Sequence, residues 1–256
     1  MKPTLSDIES LARSAGAVLQ ESYNNEHEIS YKGVIDLVTE ADHASEDFLL
    51  KEIKTRFPGN PIFSEESGEI KGQNEDIWYI DPLDGTVNYS HHDPTFCVSI
   101  GFASGGILKL GAVYDPLRNE MFSAENGKGA HMNGVKIHAS YVNELQKSLL
   151  VTGFPYDVWS SERNNFDNFL KMSKLSQGVR CRGSAVLDGC YVAAGRLDGF
   201  WELSLKPWDV AAVGLIAQEA GARVTAVDGN PDFISQPLSV IIAAPGIYDQ
   251  MLRVLK

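Results

Sequence analysis

Cysteine is scarce: three in 256 residues, Cys97, Cys181 and Cys190, with no CxxC or zinc-ligand spacing. An odd, scattered set argues against a disulfide framework and against a paired-thiol redox centre. Positive charge is also short, with 22 Lys and Arg against 34 Asp and Glu, a net charge of −12. General nucleic-acid binding needs cationic surface to displace phosphate counterions, and docking on anionic lipid needs it too. Neither is expected. No apolar run approaches the roughly 18 residues of a membrane span. The opening MKPTLSDIESLARS carries acids where a signal peptide has its apolar stretch, so the expected location is a reduced cytoplasm. A Walker GxxxxGKS/T loop is missing, which counts against a nucleotidase built on one.

What is present reads as a soluble globular chain, 43% hydrophobic and 22% charged. Leu5, Ile8, Leu11, Ala12, Ala15, Val18 and Leu19 recur at helical spacing behind Thr4 or Ser6 as N-cap. A second helix is predicted from about Ala41 to Phe57, stopped by Pro58-Gly59. Between them, Glu28 to Thr39 reads as a hairpin turning near Lys32-Gly33. Ile77–Ile80, Thr95–Phe102, Ile107–Tyr114 and Glu120–Ala124 read as strands. In the last third, helices are predicted at Glu162–Leu175, Ser184–Ala194, Val210–Ala220 and Tyr248–Leu255. Extended runs interleave with them at Leu149–Val151, Gly178–Arg182, Gly199–Glu202, Arg223–Val227 and Ser239–Ala243. Strict βαβ alternation is lacking, so the expected class is α+β, a layered α/β sandwich. One unit over 1–256 is expected, with a first lobe of about 1–140 and a second of about 145–256.

The chemistry concentrates in acidic residues at strand ends and helix starts. Asp81-Pro-Leu-Asp-Gly-Thr86 places two carboxylates three residues apart at the end of an apolar strand. They share a face only if the backbone turns sharply, which Pro82 and Gly85 permit; the bland alternative is an Asx turn with a helix cap. Glu65-Glu66 follows another apolar run, Asp42 opens the second helix, and Asp209 follows Pro207-Trp208 where a simple cap is the commoner reading. Hard oxygen donors from several strand ends are what Mg²⁺ takes, together with water and substrate phosphate.

These segments, with Arg182-Gly-Ser-Ala185 and Pro207-Trp-Asp-Val-Ala-Ala212, occur in the order and spacing of the inositol monophosphatase family. The chain resembles that family, magnesium-dependent and lithium-sensitive phosphatases related to fructose-1,6-bisphosphatases, over almost its whole length. The resemblance implies that two or three Mg²⁺ are held by Glu65, Asp81, the Leu83 carbonyl, Asp84 and Asp209. It implies that Thr86, supported by Asp42, activates the attacking water, with Glu65 also catalytic. Asp84, Gly85, Thr86, Gly183, Ser184, Ala185, Glu202 and Asp209 correspond to substrate contacts, and Lys32 lies where the family often has a Lys near the site. The expected reaction is hydrolysis of a phosphomonoester, foremost myo-inositol monophosphate, by a homodimer. Fructose-1,6-bisphosphatase and histidinol-phosphatase activities are the alternatives. A rival of another class is a regulatory role by docking on a protein, since some bacterial relatives act on RNA polymerase. The motif departs from the family in Val87-Asn88-Tyr89 and in the loop Ser90-His-His-Asp-Pro94, expected to be a solvated loop rather than a metal site.

Overall fold

The computed structural model describes residues 2–25, 27–33, 36–235 and 238–255. In chain order its regular elements are α1 (Leu5–Ser22), β1 (Ile29–Tyr31), β2 (Leu37–Thr39), α2 (Glu40–Arg56), β3 (Ile62–Ser64), β4 (Gly68–Ile70), β5 (Ile77–Asp84), α3 (Thr86–Ser90), β6 (Cys97–Ser104), β7 (Ile107–Asp115), β8 (Glu120–Glu125), β9 (Ala130–Met132) and β10 (Val135–Lys136). They continue as β11 (Leu149–Thr152), α4 (Phe166–Leu175), β12 (Gly178–Arg180), α5 (Ala185–Ala193), β13 (Gly199–Leu203), α6 (Pro207–Glu219), β14 (Arg223–Thr225), β15 (Ser239–Ala243) and α7 (Pro245–Leu255).

Three cores, one between each helical layer and its sheet or sheets, define the architecture. The large sheet has the order β10-β9-β8-β7-β6-β5-β3-β4, and the smaller one β12-β11-β13-β15-β14. The stripe Ile8, Leu11, Ala12, Ala15 and Leu19 of α1, with Leu49 and Ile53 of α2, covers one face of the large sheet through Trp78, Ile80, Ile100 and Ala112. The opposite face packs Val113, Phe122 and Ala124 against α5 and α6, whose far side meets Phe200, Val240 and Ile242 of the smaller sheet. Trp201, Ile241 and Ala243 alternate to the outer face, under α4 and α7. That alternation is the period-two signature of strands buried on both faces. The result is the layered α+β fold expected from the sequence, with helices outside, between and outside.

α6 is seated unusually close to the large sheet. Gly101 and Gly111 are cross-strand partners on β6 and β7; a Cβ on the first would fall 2.9 Å from Ala211 Cβ and on the second 2.8 Å from the Ala212 carbonyl. Larger residues there push the helix, and Asp209 at its start, off the sheet.

Boundaries moved where side chains found tertiary partners. The helix predicted from Glu162 begins only at Phe166, because Asn165 takes φ 71° and turns into the core. There it donates to Thr152 Oγ1 and the Gly153 carbonyl and accepts from Trp201 Nε1 at 2.8 Å. α6 starts three residues before its predicted start, since Pro207 needs no N–H donor in a first turn. β1 pairs antiparallel with β2, Ile29 with Thr39 and Tyr31 with Leu37, and at the turn predicted near Lys32-Gly33 the Lys32 N–H bonds the Asp36 carbonyl at 2.7 Å; residues 34 and 35 lie outside the described residues. Among the described residues, no helix is long and apolar enough to cross a membrane.

Candidate active site

β5 solves the problem of the two aspartates by a bulge. Asp81 pairs with Ser99 and Asp84 with Cys97, so three steps on β5 match two on β6. Side chains three apart on a regular strand point to opposite faces; one inserted residue restores the same side. Pro82 sits in the bulge, where its missing N–H breaks no ladder bond. Asp81 Oδ1 accepts the Leu83 N–H at 3.0 Å and so closes the irregular turn. Gly85 follows with φ 94°, and a Cβ there would meet the Thr95 carbonyl at 2.8 Å. Glycine is required by both counts.

β3 runs parallel to β5, Ser64 beside Ile80, and the Glu65 N–H continues the pairing onto the Ile80 carbonyl at 3.3 Å. This carries Glu65 alongside Asp81. The turn after it is tied down by Glu46 of α2, whose Oε1 accepts the Ser64 hydroxyl and the Glu66 and Ser67 N–H groups at 3.2 and 3.0 Å. Sequence reasoning missed Glu46; its signal was an acid one helical turn after Asp42 on the buried face. Lys32 reaches from the hairpin to Glu65 Oε1 (3.1 Å) and to Glu66.

Asp42 and Asp209 are both caps and site residues. Asp42 Oδ2 accepts the Thr39 N–H (2.8 Å) and hydroxyl (2.6 Å) at the start of α2, while its Oδ1 lies 3.0 Å from Thr86 Oγ1. Thr86 Oγ1 is also 3.0 Å from the Leu83 carbonyl. Asp209, three residues past the N-cap of α6, uses Oδ2 to accept the Lys206 N–H at 2.7 Å. Helix capping spends one carboxylate oxygen and orients the other. The start of α5 is joined to β5 in the same way, through Asp84 Oδ2, which accepts the Ser184 hydroxyl and the Val186 N–H at 3.1 Å.

One cleft of about 500 Å³ collects these groups. Glu65, Asp81, Leu83, Asp84, Gly85, Thr86, Gly183, Ser184, Ala185, Glu202 and Asp209 all line it, with Lys32 and Lys206 as its lysines. Of the residues predicted for the site, Asp42 alone does not line the cleft; it is buried and reaches it through Thr86. Tyr156, Asp188 and Trp208 line it too and were not anticipated. The loop from Ser90 to Pro94 contributes nothing to the lining: His92 Nδ1 bonds the Tyr23 carbonyl at 2.9 Å, and Tyr23 donates back to the His92 carbonyl. Asn88 and Tyr89 staple the backbone around the site, Asn88 through the Thr95 and Arg182 carbonyls, both at 2.8 Å, and Tyr89 through the Leu19 carbonyl. Arg196 is taken by Glu120 in a two-pronged ion pair.

Burial and crowding of like charge push the cleft carboxylates upward. Asp81 stands well above the usual range through burial first, then Glu65, Asp84 and Asp209. Asp209 is raised by burial and Glu65, and Asp84 by burial despite its Ser184 and Val186 donors. In Glu65 burial outweighs the Lys32 ammonium, and it lifts Asp42 to about 6. Lys32 is itself raised, since Glu65 and Glu66 outweigh the burial that opposes its charge. Cys97, opposite Asp84, is a buried thiol pushed well up by burial, then by Asp84, and is no nucleophile.

Does this set suit a divalent cation? Among the described residues, no three His, Cys, Asp or Glu side chains converge as a ready metal cage. Several oxygens are instead turned onto protein donors, as at Asp84 and Glu65. The donor chemistry decides the question: four mutually repelling carboxylates and a carbonyl, all hard oxygens, need positive charge that Lys32 supplies only at the rim. Mg²⁺ fits, because it takes one or two carboxylates each and fills the remainder of its shell with water.

Comparison with known proteins agrees with this geometry. The model of the inositol monophosphatase family matches residues 2–255. The chain is 46% identical over 221 residues to an inositol-1-monophosphatase of Synechocystis, covering 85% of this chain and 77% of that protein. It is 38% identical over 255 residues to the Nus factor SuhB of Escherichia coli, covering 98% and 95%. The solved inositol monophosphatase of Anabaena superposes with a TM-score of 0.89 at 43% identity, over 98% of this chain and 94% of that one. Fold, cleft and similarity along the whole chain agree: it belongs to the inositol monophosphatase family.

Proposed function

We propose that the protein hydrolyses a phosphomonoester with Mg²⁺, the best candidate being myo-inositol monophosphate. One observation carries the reading: Glu65, Asp81 with Asp84, and Asp209, from three separate segments, line one cleft beside a Thr86–Asp42 pair. We assign Glu65, Asp81, the Leu83 carbonyl, Asp84 and Asp209 to hold two or three ions. Bound there, Mg²⁺ supplies Lewis acidity, lowering the pKa of water and neutralising charge on the phosphoryl oxygens. The chain's own groups do the rest. Thr86 Oγ1, held between Asp42 and the Leu83 carbonyl, orients the attacking water and passes its proton toward Asp42. The backbone N–H groups of Gly85 and Thr86 face the phosphate. Gly183, Ser184, Ala185 and Glu202 meet the leaving group. The lobe of about 1–140 carries most of the metal groups, the lobe of about 145–256 the leaving-group wall and Asp209, and the working form is a homodimer in the cytoplasm.

Phosphate release tests this directly. After dialysis against EDTA, turnover of inositol 1-phosphate falls to background, and millimolar-range Mg²⁺ restores it; Li⁺ and Ca²⁺ inhibit. Full turnover in EDTA sinks the metal reading. Melting adds a pH signature. Asp42 has its folded value raised from 3.8 to about 6, so its contribution is full below the ordinary carboxylate value and lost as pH rises through about 6. Asp81, Asp84 and Asp209, raised by burial, act in the same sense. Metal-free protein therefore loses melting temperature as pH rises from about 4 through about 6, and Mg²⁺ raises it more at the upper end.

Glu202 supplies the test of leaving-group choice. A charged hydrogen bond is worth roughly 1.5–3 kcal/mol, so Glu202→Gln lowers kcat/KM for inositol monophosphate about 10- to 100-fold. Glycerol 2-phosphate loses less and p-nitrophenyl phosphate almost nothing. Equal losses on all three reassign Glu202 to the metal site or the fold.

A further inference from the structure

Asp188 is a buried carboxylic acid that the fold holds only loosely. It lies in the first turn of α5, 1% exposed, among Val186, Leu187, Gly189 and Cys190, all buried. Its Oδ1 has no hydrogen-bond partner. The nearby cation is Arg182, whose Nε is 3.7 Å from that oxygen, beyond hydrogen-bond reach. The Arg182 guanidinium lies instead over the Tyr191 ring, 4.5 Å from its centre. An unsatisfied buried carboxyl destabilises a fold, so its presence calls for a reason outside packing.

Its position supplies one. Asp188 and Glu202 both line the cleft, and after burial Asp188 is the strongest charged influence on Glu202. Glu202 is drawn tight to the cleft wall: a Cβ on Gly153 would fall 2.4 Å from Glu202 Oε1. β13 and α5 thus place two carboxyls on the lining of one cleft, one of them buried with an oxygen that accepts no hydrogen bond.

We propose that Asp188 is a specificity-determining residue, forming with Glu202 a two-carboxyl subsite that takes hydroxyls of a neutral polyol leaving group. The proposal rests on the phosphomonoesterase reading and refines it. A hydroxyl both donates and accepts, so it satisfies a carboxyl whether or not that group holds a proton. An ammonium only donates, and at Asp188 it meets the Arg182 guanidinium. Asp188 is reached directly or through one ordered water, which transmits the bond nearly as well.

The experiment uses the full chain with Mg²⁺ and the variants Asp188→Asn and Asp188→Leu. It measures kcat/KM on inositol 1-phosphate, glycerol 2-phosphate, histidinol phosphate and p-nitrophenyl phosphate, together with the melting temperature. Asp188→Asn is expected to lose about 10-fold on inositol 1-phosphate and Asp188→Leu about 100-fold. p-Nitrophenyl phosphate turnover stays at the wild-type level. Asp188→Leu melts higher, by roughly 2 to 4 °C, because an unsatisfied buried polar group has been removed. A uniform loss on all substrates with a lower melting temperature makes Asp188 the structural partner of Arg182 and overturns the proposal. A loss greatest on histidinol phosphate overturns the polyol assignment. A wild-type protein inactive on all four substrates defeats the phosphatase reading itself, a failure distinct from either.

Discussion

Asp84→Asn lowers phosphate release by roughly 10³-fold, as follows when several kcal/mol of charge stabilisation are lost at 1.36 kcal/mol per decade. Asn is isosteric and retains an oxygen to accept the Val186 N–H, now at 3.1 Å, so the junction of β5 with α5 survives. One negative charge leaves a cleft in which Asp84 raises both Asp81 and Asp209. The metal-free variant therefore melts no lower than the parent, while its gain from Mg²⁺ shrinks. The same variant separates the two functional classes. Any role exercised by protein docking would persist in Asp84→Asn while hydrolysis falls. Wild-type turnover in this variant would remove the carboxylate cleft from consideration as the catalytic centre.

Thr86→Ala lowers kcat by about 10²-fold, the lower range for losing a positioned proton-transfer group. KM moves little, because the hydroxyl acts on the water and not on the leaving group. Thr86→Ser, which keeps the hydroxyl between Asp42 and the Leu83 carbonyl, recovers most of the rate. Asp42 adds a pH signature: as the acceptor in the pair it must be ionised, so kcat rises as pH climbs through about 6. Asp42→Asn removes that limb. Labelled water places ¹⁸O in phosphate and none in the alcohol, which marks attack at phosphorus, and inversion at a chiral thiophosphate separates direct attack by water from a two-step route. A trapped phosphoenzyme would contradict it.

Local signals carried much of the architecture. The stripe from Ile8 to Leu19, the cap at Thr4 (one of two candidates, with Ser6) and the strands read correctly because each depends on neighbours within a few residues. Where a residue's partner lay far away the reading slipped. Asn165 looked like part of a polar helix start and proved to be a core residue bonded to Thr152 and Trp201. For Asp81 and Asp209 a backbone role does not exclude a second one, since one oxygen fixes the backbone and both residues line the cleft.

The sequence by itself determined the donor chemistry, the order of the motifs and the family, because residue identity and spacing are one-dimensional properties. Only the tertiary structure decided which of those donors meet. The bulge at Pro82-Leu83 turns Asp81 and Asp84 to one side through pairing with β6. The Gly101–Gly111 pair seats α6 and with it Asp209. Asp188 was invisible for the same reason: an acid in an apolar helix has no local signature, and only the packing of α5 beside β13 leaves its oxygen unpaired in the cleft that also holds Glu202.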